Sequence, residues 1–426
     1  MSVTTRPPEP QHDGGGDAAR EPSPIQGVSR NVFVLALVSL CTDTSSEMIY
    51  PLVPLFLTGV LGAPATVVGL IEGLAEAAAN VLKLVSGRIT DRRGGRRGWV
   101  FAGYGLSALA KPLLALASVW PLVLLARLVD RVGKGTRGTP RDAIIAASSD
   151  PATRGSAFGF HRSMDTIGAV AGPLAGYALL TWTAQNFRLV FLLAAIPAVV
   201  GVLLIGRVRE PRRVAQQAPS VSSTTVSFTW RGAPPSYRAF LAIGVLFALG
   251  NSSDAFLILR AHNLGLGTLA TVLAYAVYNV VYAVAGWPAG ILSDRLGRRG
   301  IIVAGFALFA LVYGGMGLAT GALVVWPLFA LYGLYIALTD GVTKAYITDL
   351  VPSNQRGGAL GLYAAATGGM ALVSSVLAGL LWDHVAPTAP FYLGAVTALG
   401  AAVAVGLLIS RRSASPASSS SPNAMG

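Results

Sequence analysis

Long apolar stretches separated by short polar connections run through most of this chain. A helix needs roughly 20 apolar residues to cross a bilayer. Stretches of that length, some interrupted by charged residues, predict twelve helices, six in each half. Their expected positions are 32–60, 65–89, 98–117, 119–147, 156–181, 187–206, 238–262, 268–292, 300–319, 323–349, 358–381 and 388–410. The pattern predicts an all-α membrane protein with two pseudo-symmetric six-helix bundles.

Polar segments at both ends and in the middle divide the chain. Residues 1–30 have no apolar core, so we do not expect them to be a cleavable signal peptide. We expect 1–30 and the Ser-rich residues 411–426 to be disordered cytoplasmic tails. The basic, Ser/Thr-rich segment 207–236 is expected to be a cytoplasmic linker between an N-terminal bundle, 31–206, and a C-terminal bundle, 237–410.

The composition supports a membrane location and excludes several other classes. Only 12% of residues are charged and the mean hydropathy is +0.60, whereas soluble domains have about 25% charged residues. The net charge of +13 comes from arginines in short connections, so we expect no nucleic-acid partner. Cys41 is the single cysteine, which rules out a disulfide framework. No spacing indicates a metal site, a cofactor or a hydrolytic enzyme.

The arginines alternate between the connections. The basic connections contain Arg92, Arg93, Arg96 and Arg97, then Arg154, then Arg207 to Arg213, then Arg295, Arg298 and Arg299, then Arg356, and finally Arg411 and Arg412. The alternate connections 61–65, 117–120, 320–323 and 382–390 contain no Lys or Arg. Because cytoplasmic loops carry an excess of basic residues, we expect a multi-pass protein of the cell inner (plasma) membrane with both termini in the cytoplasm.

One short motif, G-x-x-x-D-R, occurs in both halves about 203 positions apart. Its first copy consists of Gly87, Asp91 and Arg92, and its second of Gly290, Asp294 and Arg295. Duplication of this kind is typical of alternating-access transporters. The doubled motif and the six-plus-six plan resemble the major facilitator superfamily. Gly168, Gly172 and Pro173 in the fifth helix also resemble the motif of its proton-antiporting exporters.

The resemblance implies the major facilitator fold and gives these residues gating roles. In the superfamily the G-x-x-x-D-R motif holds the cytoplasmic side closed in the outward-open state. The alternative for its arginines is a purely topological role. We further expect Gly290 to allow close helix approach and the pair Gly172-Pro173 to relax or kink the fifth helix. Gly133 and Gly135 are expected to let the fourth helix pack closely or bend.

Ionisable residues recur at helical spacing in the first half. Asp43 and Glu47 lie one turn apart, and Glu72 and Glu76 share one face of the second helix. A charge at the bilayer centre costs on the order of 2.5–3.5 kcal/mol, so these groups must face a wet cavity or pair with one another. We expect proton coupling at Asp43, Glu47, Glu72, Glu76 and Asp165. The alternative is a salt-bridge network that joins the first, second, fourth and fifth helices.

Substrate contacts are expected from both halves. The candidates are Arg127, Asp130, Arg131 and Arg162 in the first half, and Asp254, Tyr275, Asn279 and Tyr282 in the second. Ion pairing is the alternative for the arginines, and ordinary helix packing is the alternative for the tyrosines. The second half has far fewer charges, which indicates ion coupling in the first half and hydrogen-bonding or aromatic contacts in the second.

These observations predict a monomeric, proton-coupled secondary active transporter that exports a small molecule by alternating access. Its expected partners are the substrate, protons and membrane lipid. One alternative is a proton-coupled importer, or symporter, of a small organic anion. Another is a transport-inactive membrane sensor or receptor. The arginines allow an anionic substrate and the carboxylates a cation or zwitterion, so the charge of the substrate stays open.

Overall fold

A computed structural model describes residues 28–93, 95–150, 153–210 and 230–413, without the side chains of 84, 87, 88, 91–93 and 408–413. Every regular element in these ranges is helical. The predicted all-α fold is therefore confirmed. Most of the expected tails and of the linker lies outside the described residues, so the domain boundaries stay predictions.

Twelve helical segments follow one another along the described chain. They are α1 (Arg30–Val60), α2 (Ala65–Arg93), α3 (Arg96–Ala115), α4 (Trp120–Ala147), α5 (Arg154–Trp182), α6 (Phe187–Ile205), α7 (Pro235–Asn263), α8 (Thr268–Leu296), α9 (Arg298–Leu318), α10 (Val325–Asp349), α11 (Arg356–His384) and α12 (Ala389–Ser413). Nine of these described segments are long and apolar enough to cross a membrane. The exceptions are α3, α4 and α5. Helix α4, for example, contains seven charged residues.

The first half comprises α1–α6 and the second half α7–α12. Within the first half, α1 packs on α5, and α4 packs on both α2 and α3. Within the second half, α8 packs on α10 and α9 packs on α12. The halves meet where α2 packs on α11 and where α5 packs on α8. A central cavity can therefore form between the α2–α11 contact and the α5–α8 contact.

The molecule has two chemically different ends. One end holds the connections α2–α3, α4–α5, α8–α9 and α10–α11, which carry the arginines. We call it the basic end. The opposite end holds the connections α1–α2, α3–α4, α5–α6, α7–α8, α9–α10 and α11–α12. These names are used below for direction along the helices.

Glycines set the spacing of helices in the first half. A Cβ built on Gly172 of α5 would lie 2.6 Å from the Cβ of Glu47 on α1, and one on Gly168 would lie 2.9 Å from the carbonyl oxygen of Leu40. Helix α5 nevertheless continues through Pro173 as one helix. The expected relaxation or kink at Gly172-Pro173 stays a prediction, and close packing against α1 explains both glycines.

The glycines of α4 also allow close contact. A Cβ on Gly133 would lie 2.4 Å from the carbonyl oxygen of Gly103 on α3, and one on Gly135 would lie 2.7 Å from that of Ala79 on α2. Both positions therefore exclude any side chain. The expectation of close packing for α4 is confirmed.

Helix α7 is broken near its middle. Residues 251–254 are not helical and separate the helix Pro235–Gly250 from the helix Ala255–Asn263. Within a membrane, irregular backbone is tolerated only where it is buried in protein or lines a wet cavity. The break therefore marks a place where α7 borders such a cavity. In the first half the residues Ser45 to Glu47, which repeat the sequence pattern of Ser252 to Asp254, stay helical.

Candidate functional site

Two adjoining cavities lie between the halves. The central cavity, of about 220 Å³, is lined by residues of α1, α2, α4, α7, α10 and α11, among them Glu76, Arg131 and Asp254. The second cavity, of about 640 Å³, shares Glu76 with it and extends along α10 and α11 toward the basic end. Together they form a passage from the broken part of α7 to one end of the molecule.

Two ion pairs account for much of the charge in the first half. The guanidinium of Arg127 donates to both carboxylate oxygens of Glu72, at 3.0 and 2.7 Å. The ammonium of Lys111 donates to Asp130 at 2.9 Å. Only 7% of Glu72 and 3% of Arg127 is exposed. For Glu72, Arg127 and Asp130 this geometry favours the salt-bridge alternative over proton coupling or substrate contact.

Glu47 links the two halves directly. Its carboxylate accepts a hydrogen bond of 2.9 Å from the hydroxyl of Tyr275 on α8. One turn away, Asp43 makes no hydrogen bond or ion pair with another described residue. A void of about 20 Å³ borders Asp43, Glu47, Arg131 and Lys134, and a space of that size has room for a water molecule.

Glu76 and Arg131 both face the central cavity. Glu76 is exposed there and accepts a hydrogen bond of 3.4 Å from Asn80. Arg131 lies within 4.0 Å of none of the described carboxylates, and its Nε is buried without a hydrogen-bond partner. Both of these predicted site residues can therefore contact a ligand in the cavity.

Asp165 belongs to a separate polar group on α5. Its carboxylate lies 3.5 Å from Nδ1 of His161, whose Nε2 shares a hydrogen bond of 3.0 Å with Ser39. His161 is buried. The group joins α5 to α1, so a structural role for His161 agrees with the geometry. Proton coupling at Asp165 stays a prediction.

Tyrosines form much of the second half's side of the site. The ring of Tyr275 lies 5.5 Å from that of Tyr50 and 5.3 Å from that of Tyr278, which in turn lies 5.3 Å from that of Tyr332. Tyr332 donates a hydrogen bond of 2.6 Å to Asp254 in the α7 break. The sequence analysis did not select Tyr50, Tyr278 or Tyr332. Spacing offered one signal, because Tyr278 lies one turn from Tyr275.

A second polar contact between the halves lies nearer the basic end. Arg162 of α5 donates to the hydroxyl of Tyr282 at 2.8 Å and lies 3.6 Å from Asp340 of α10. Asp340 also accepts from Lys344 at 2.7 Å. A cavity of about 660 Å³ borders this contact. Asn279, by contrast, is buried and donates to the carbonyl oxygen of Tyr275, which favours a packing role.

The second copy of the G-x-x-x-D-R motif forms a contact within its own half. Arg298 lies 3.5 Å from Asp294 and donates to Asp349 at 2.6 Å, which joins the ends of α8, α9 and α10. Arg295 is exposed. The expectation that Gly290 allows close helix contact is wrong in this structure, because a Cβ there would meet no atom within 4 Å. Gly290 borders the 660 Å³ cavity instead.

The first copy cannot be compared in the same way. Its residues belong to α2, but the side chains of Asp91 and Arg92, and the surroundings of Gly87, lie outside the described residues. Their gating roles therefore stay predictions. The described neighbours Arg96 and Arg97 begin α3, where their backbone N–H groups donate to Glu210 at 3.0 and 2.8 Å.

At the opposite end, Asp383 of α11 caps the N-terminus of α2. Its carboxylate accepts from the backbone N–H groups of Ala65 and Thr66 at 3.0 and 2.7 Å, and from the hydroxyl of Thr66 at 2.6 Å. A Cβ on Gly379 would lie 2.5 Å from the Cα of Thr66, so the helices touch here. We call this contact the inter-half cap. Sequence gave no signal for it, because the partners are 317 and 318 positions apart.

Comparisons with known proteins agree with this architecture. The Major Facilitator Superfamily model matches residues 35–272 and again residues 239–424. An uncharacterized MFS-type transporter of Methanocaldococcus jannaschii is 34% identical over 380 residues, which cover 87% of this chain and 93% of the relative. The multidrug resistance protein MdtH of Photorhabdus laumondii is 32% identical over 178 residues, 40% of this chain and 43% of that protein.

Among solved structures, a POT family transporter in complex with 5-aminolevulinic acid superposes with a TM-score of 0.73. It is 14% identical, and the match covers 91% of this chain and 97% of that one. A likeness at this identity shows the fold. Because the family model matches both halves, the chain belongs to the Major Facilitator Superfamily and is a multi-pass membrane transporter rather than an enzyme.

Proposed function

We propose that this protein is a proton-coupled secondary transporter that exports a small molecule by alternating access. The observation that carries the proposal is the hydrogen bond from Tyr275 to the carboxylate of Glu47. It places a group that can gain or lose a proton at a contact between the two halves. Proton binding and the arrangement of the halves are then linked.

The linkage follows from the strength of the hydrogen bond. A hydroxyl bound to an ionised carboxylate makes roughly twice as strong a bond as one bound to a neutral acceptor. Protonation of Glu47 therefore weakens the contact between α1 and α8. A ligand shifts a conformational equilibrium only through a difference in affinity for the two states, and this contact supplies that difference for the proton. Asp43 and Glu76 extend the proposed path of the proton. Asp43 borders the same small void as Glu47, and Glu76 borders the central cavity.

The two ends of the molecule support a state that is open toward the basic end. The cavities of about 640 and 660 Å³ both extend toward that end. At the opposite end, the inter-half cap and the contact of Gly379 with α2 hold the halves together. With the basic end in the cytoplasm, this is the state that would collect a substrate from inside the cell.

Export is favoured over import by two observations. The fifth-helix sequence with Gly168, Gly172 and Pro173 resembles the motif of proton-antiporting exporters. A relative that aligns with part of the chain is named a multidrug resistance protein.

Gly290 fits a gating role in the other state, because the open space beside it is what α5 would fill when the basic end closes.

Transport by purified protein in liposomes tests the proposal. A broad solute screen under an imposed pH gradient should find a compound that moves against the direction of proton flow. Glu47→Gln and Asp43→Asn should abolish the proton-driven flux but retain exchange of the solute. Asp142→Asn, which removes an exposed carboxylate at the basic end, should transport normally.

Three outcomes would contradict parts of this proposal. Full proton-driven flux in both the Glu47 and the Asp43 variants would refute the coupling sites. Accumulation of the solute together with protons would show import. Binding of ligands without any flux would point to a sensor or receptor.

A further inference from the structure

The central cavity contains charged groups of both signs that make no ion pair within 4.0 Å in the part of the chain that the structure describes. On its first-half side is the guanidinium of Arg131, which lies within 4.0 Å of none of the described carboxylates. On its second-half side is the carboxylate of Asp254, which accepts a hydrogen bond of 2.6 Å from Tyr332 and has no basic group of the described residues within 4.0 Å. These two groups are the starting point of this inference, which rests on the proposed transport function.

Unpaired charges at membrane depth need an explanation. A charged group removed from water is stable only when it is paired or hydrogen-bonded. In the same helix as Arg131, the protein pairs Arg127 with Glu72 through two hydrogen bonds. Glu76 in the same cavity is the carboxylate that attracts Arg131 most strongly, but it lies more than 4.0 Å from the guanidinium. The buried Nε of Arg131, left without a hydrogen-bond partner among the described residues, instead indicates a position reserved for an acceptor that the ligand brings.

The surroundings of Asp254 fit a cation. The residue ends the break in α7, where Asn251, Ser252 and Ser253 also line the central cavity. Tyr50 and Tyr332 lie on the wall of the same cavity. Aromatic rings attract organic cations by their negative faces, and a carboxylate completes the charge. A protonated amine is thus the group that this side of the cavity would bind.

The two groups belong to different halves. Arg131 is part of α4 and Asp254 of α7, and they make no ion pair with each other. A molecule that carries an acidic group and a protonated amine would contact both and so connect the halves. The cavity of about 220 Å³ limits the bound core to a small molecule, while the adjoining cavity of about 640 Å³ leaves room for a larger substituent.

We infer that the substrate is a small zwitterion, with its amine at Asp254 and its acidic group at Arg131. A purely anionic substrate would leave Asp254 unpaired, and a purely cationic one would leave Arg131 unpaired. Leaving one buried charge without its partner is the costly case in such sites. Binding of the zwitterion in the central cavity also affects how the two halves are arranged, because the molecule contacts both.

A binding experiment on the full chain in detergent tests this assignment. The probes are a set of α-amino acids, each compared with its decarboxylated amine and its deaminated acid. Thermal stabilisation of the protein reports binding without any need for transport. We expect at least one amino acid to bind about tenfold or more tightly than either of its two analogues, since each analogue loses one charged hydrogen-bonding partner.

Two near-isosteric variants then assign the groups. Asp254→Asn should remove the advantage of the amino acid over its deaminated acid. Arg131→Gln should remove its advantage over the decarboxylated amine. Asp142→Asn is the matched control, since its carboxylate is exposed at the basic end, and it should retain both preferences. The comparison on the wild-type protein stands even if a variant does not fold.

The result that overturns the inference is a set in which no amino acid binds more tightly than its amine or its acid. An amino acid that kept its full advantage over its deaminated acid in folded Asp254→Asn protein would have the same meaning. Failure of the transport proposal looks different, because amino acids would then bind with the expected preferences while no variant and no pH gradient produced flux in liposomes.

Discussion

The two halves share a fold but fill it with different chemistry. In the first half, buried charges are paired between helices, as in Glu72 with Arg127 and Lys111 with Asp130. In the second half, the corresponding space holds stacked aromatic rings, such as Phe309 with Tyr313 at 3.9 Å between ring centroids. The duplicated backbone thus carries ion chemistry on one side of the cavity and hydrogen-bonding rings on the other.

The difference teaches how a duplicated transporter can separate two tasks. In the second half the tyrosines contact one another's rings and hydrogen-bond to single carboxylates, as in Tyr332 with Asp254. In our proposal the first half holds the groups that exchange protons. The contacts between the halves then combine one member of each kind, as in Glu47 with Tyr275 and Arg162 with Tyr282. Four substitutions test that division.

Glu72→Gln should damage the first half most. The substitution leaves the guanidinium of Arg127 buried without its partner, and loss of one member of a buried pair costs about 3–5 kcal/mol. Replacing both residues with methionine should recover most of this free energy. Unfolding of the purified protein by denaturing detergent measures both changes. If Glu72→Gln proves as stable as wild type while proton coupling is lost, the pair is a coupling site and not a structural one.

Gly172→Ala should separate α1 from α5. The new methyl group would lie 2.6 Å from the Cβ of Glu47, and overpacking of a dense interface costs about 1–3 kcal/mol. Gly159→Ala is the matched control in the same helix, because a Cβ there meets no atom within 4 Å. Thermal unfolding of the two variants provides the comparison. Equal stability of both would show that α5 has freedom that the packing does not indicate.

Asp383→Ala should weaken the opposite end. The substitution removes the acceptor of three hydrogen bonds at the start of α2, and loss of a helix cap costs about 0.5–2 kcal/mol. Because this cap joins the halves, the loss should increase the population of the state open at the opposite end. Labelling of a cysteine introduced at the buried Ala378 of α11, in protein carrying Cys41→Ser, reports that opening. An unchanged labelling rate would show that the cap does not contribute to closure.

Tyr282→Phe should have the smallest effect. It removes the hydroxyl that accepts from Arg162 and donates to Asp340 at 3.3 Å, and a hydrogen bond of this kind contributes about 0.5–1.5 kcal/mol. Transport should change severalfold, with no change in folding. Tyr392→Phe, which loses a hydroxyl bonded to the carbonyl oxygen of Gly317 within the second half, is the control. Equal effects of the two variants would show that the contact between Arg162 and Tyr282 does not contribute to transport.

Sequence predicted the fold well because its signals are local. Apolar length places each helix, and predicted 65–89 corresponds to the observed Ala65–Arg93. Spacing also placed Asp43, Glu47, Glu72 and Glu76 on the inner sides of α1 and α2. Sequence could not distinguish Glu72 from Glu76, because that difference depends on whether a base of α4 lies opposite each one. The same limit applied to Asp383, whose partners are on another helix in the other half.

The break in α7 could not be predicted from the sequence either. The region reads as one apolar stretch, 238–262, and the polar residues 251–254 look like a repeat of Ser45 to Glu47. In α1 those residues are helical, and in α7 the equivalent ones are not. The sequence motif alone therefore does not determine the local backbone. Contacts with α10 and α11, such as Tyr332 with Asp254 and Ser375 with the N–H of Ser253, distinguish the two.

The central claim is that protonation of Glu47 changes how the halves are arranged. Distances between spin labels test it in protein carrying Cys41→Ser. One pair, Val119 and Leu323, lies in exposed positions at the opposite end, and the other, Gly155 and Gly357, lies at the basic end. On acidification the first distance should widen and the second should narrow, while both should be independent of pH in Glu47→Gln. Distances that do not respond to pH in the wild-type protein, or that respond equally in the variant, would contradict the account.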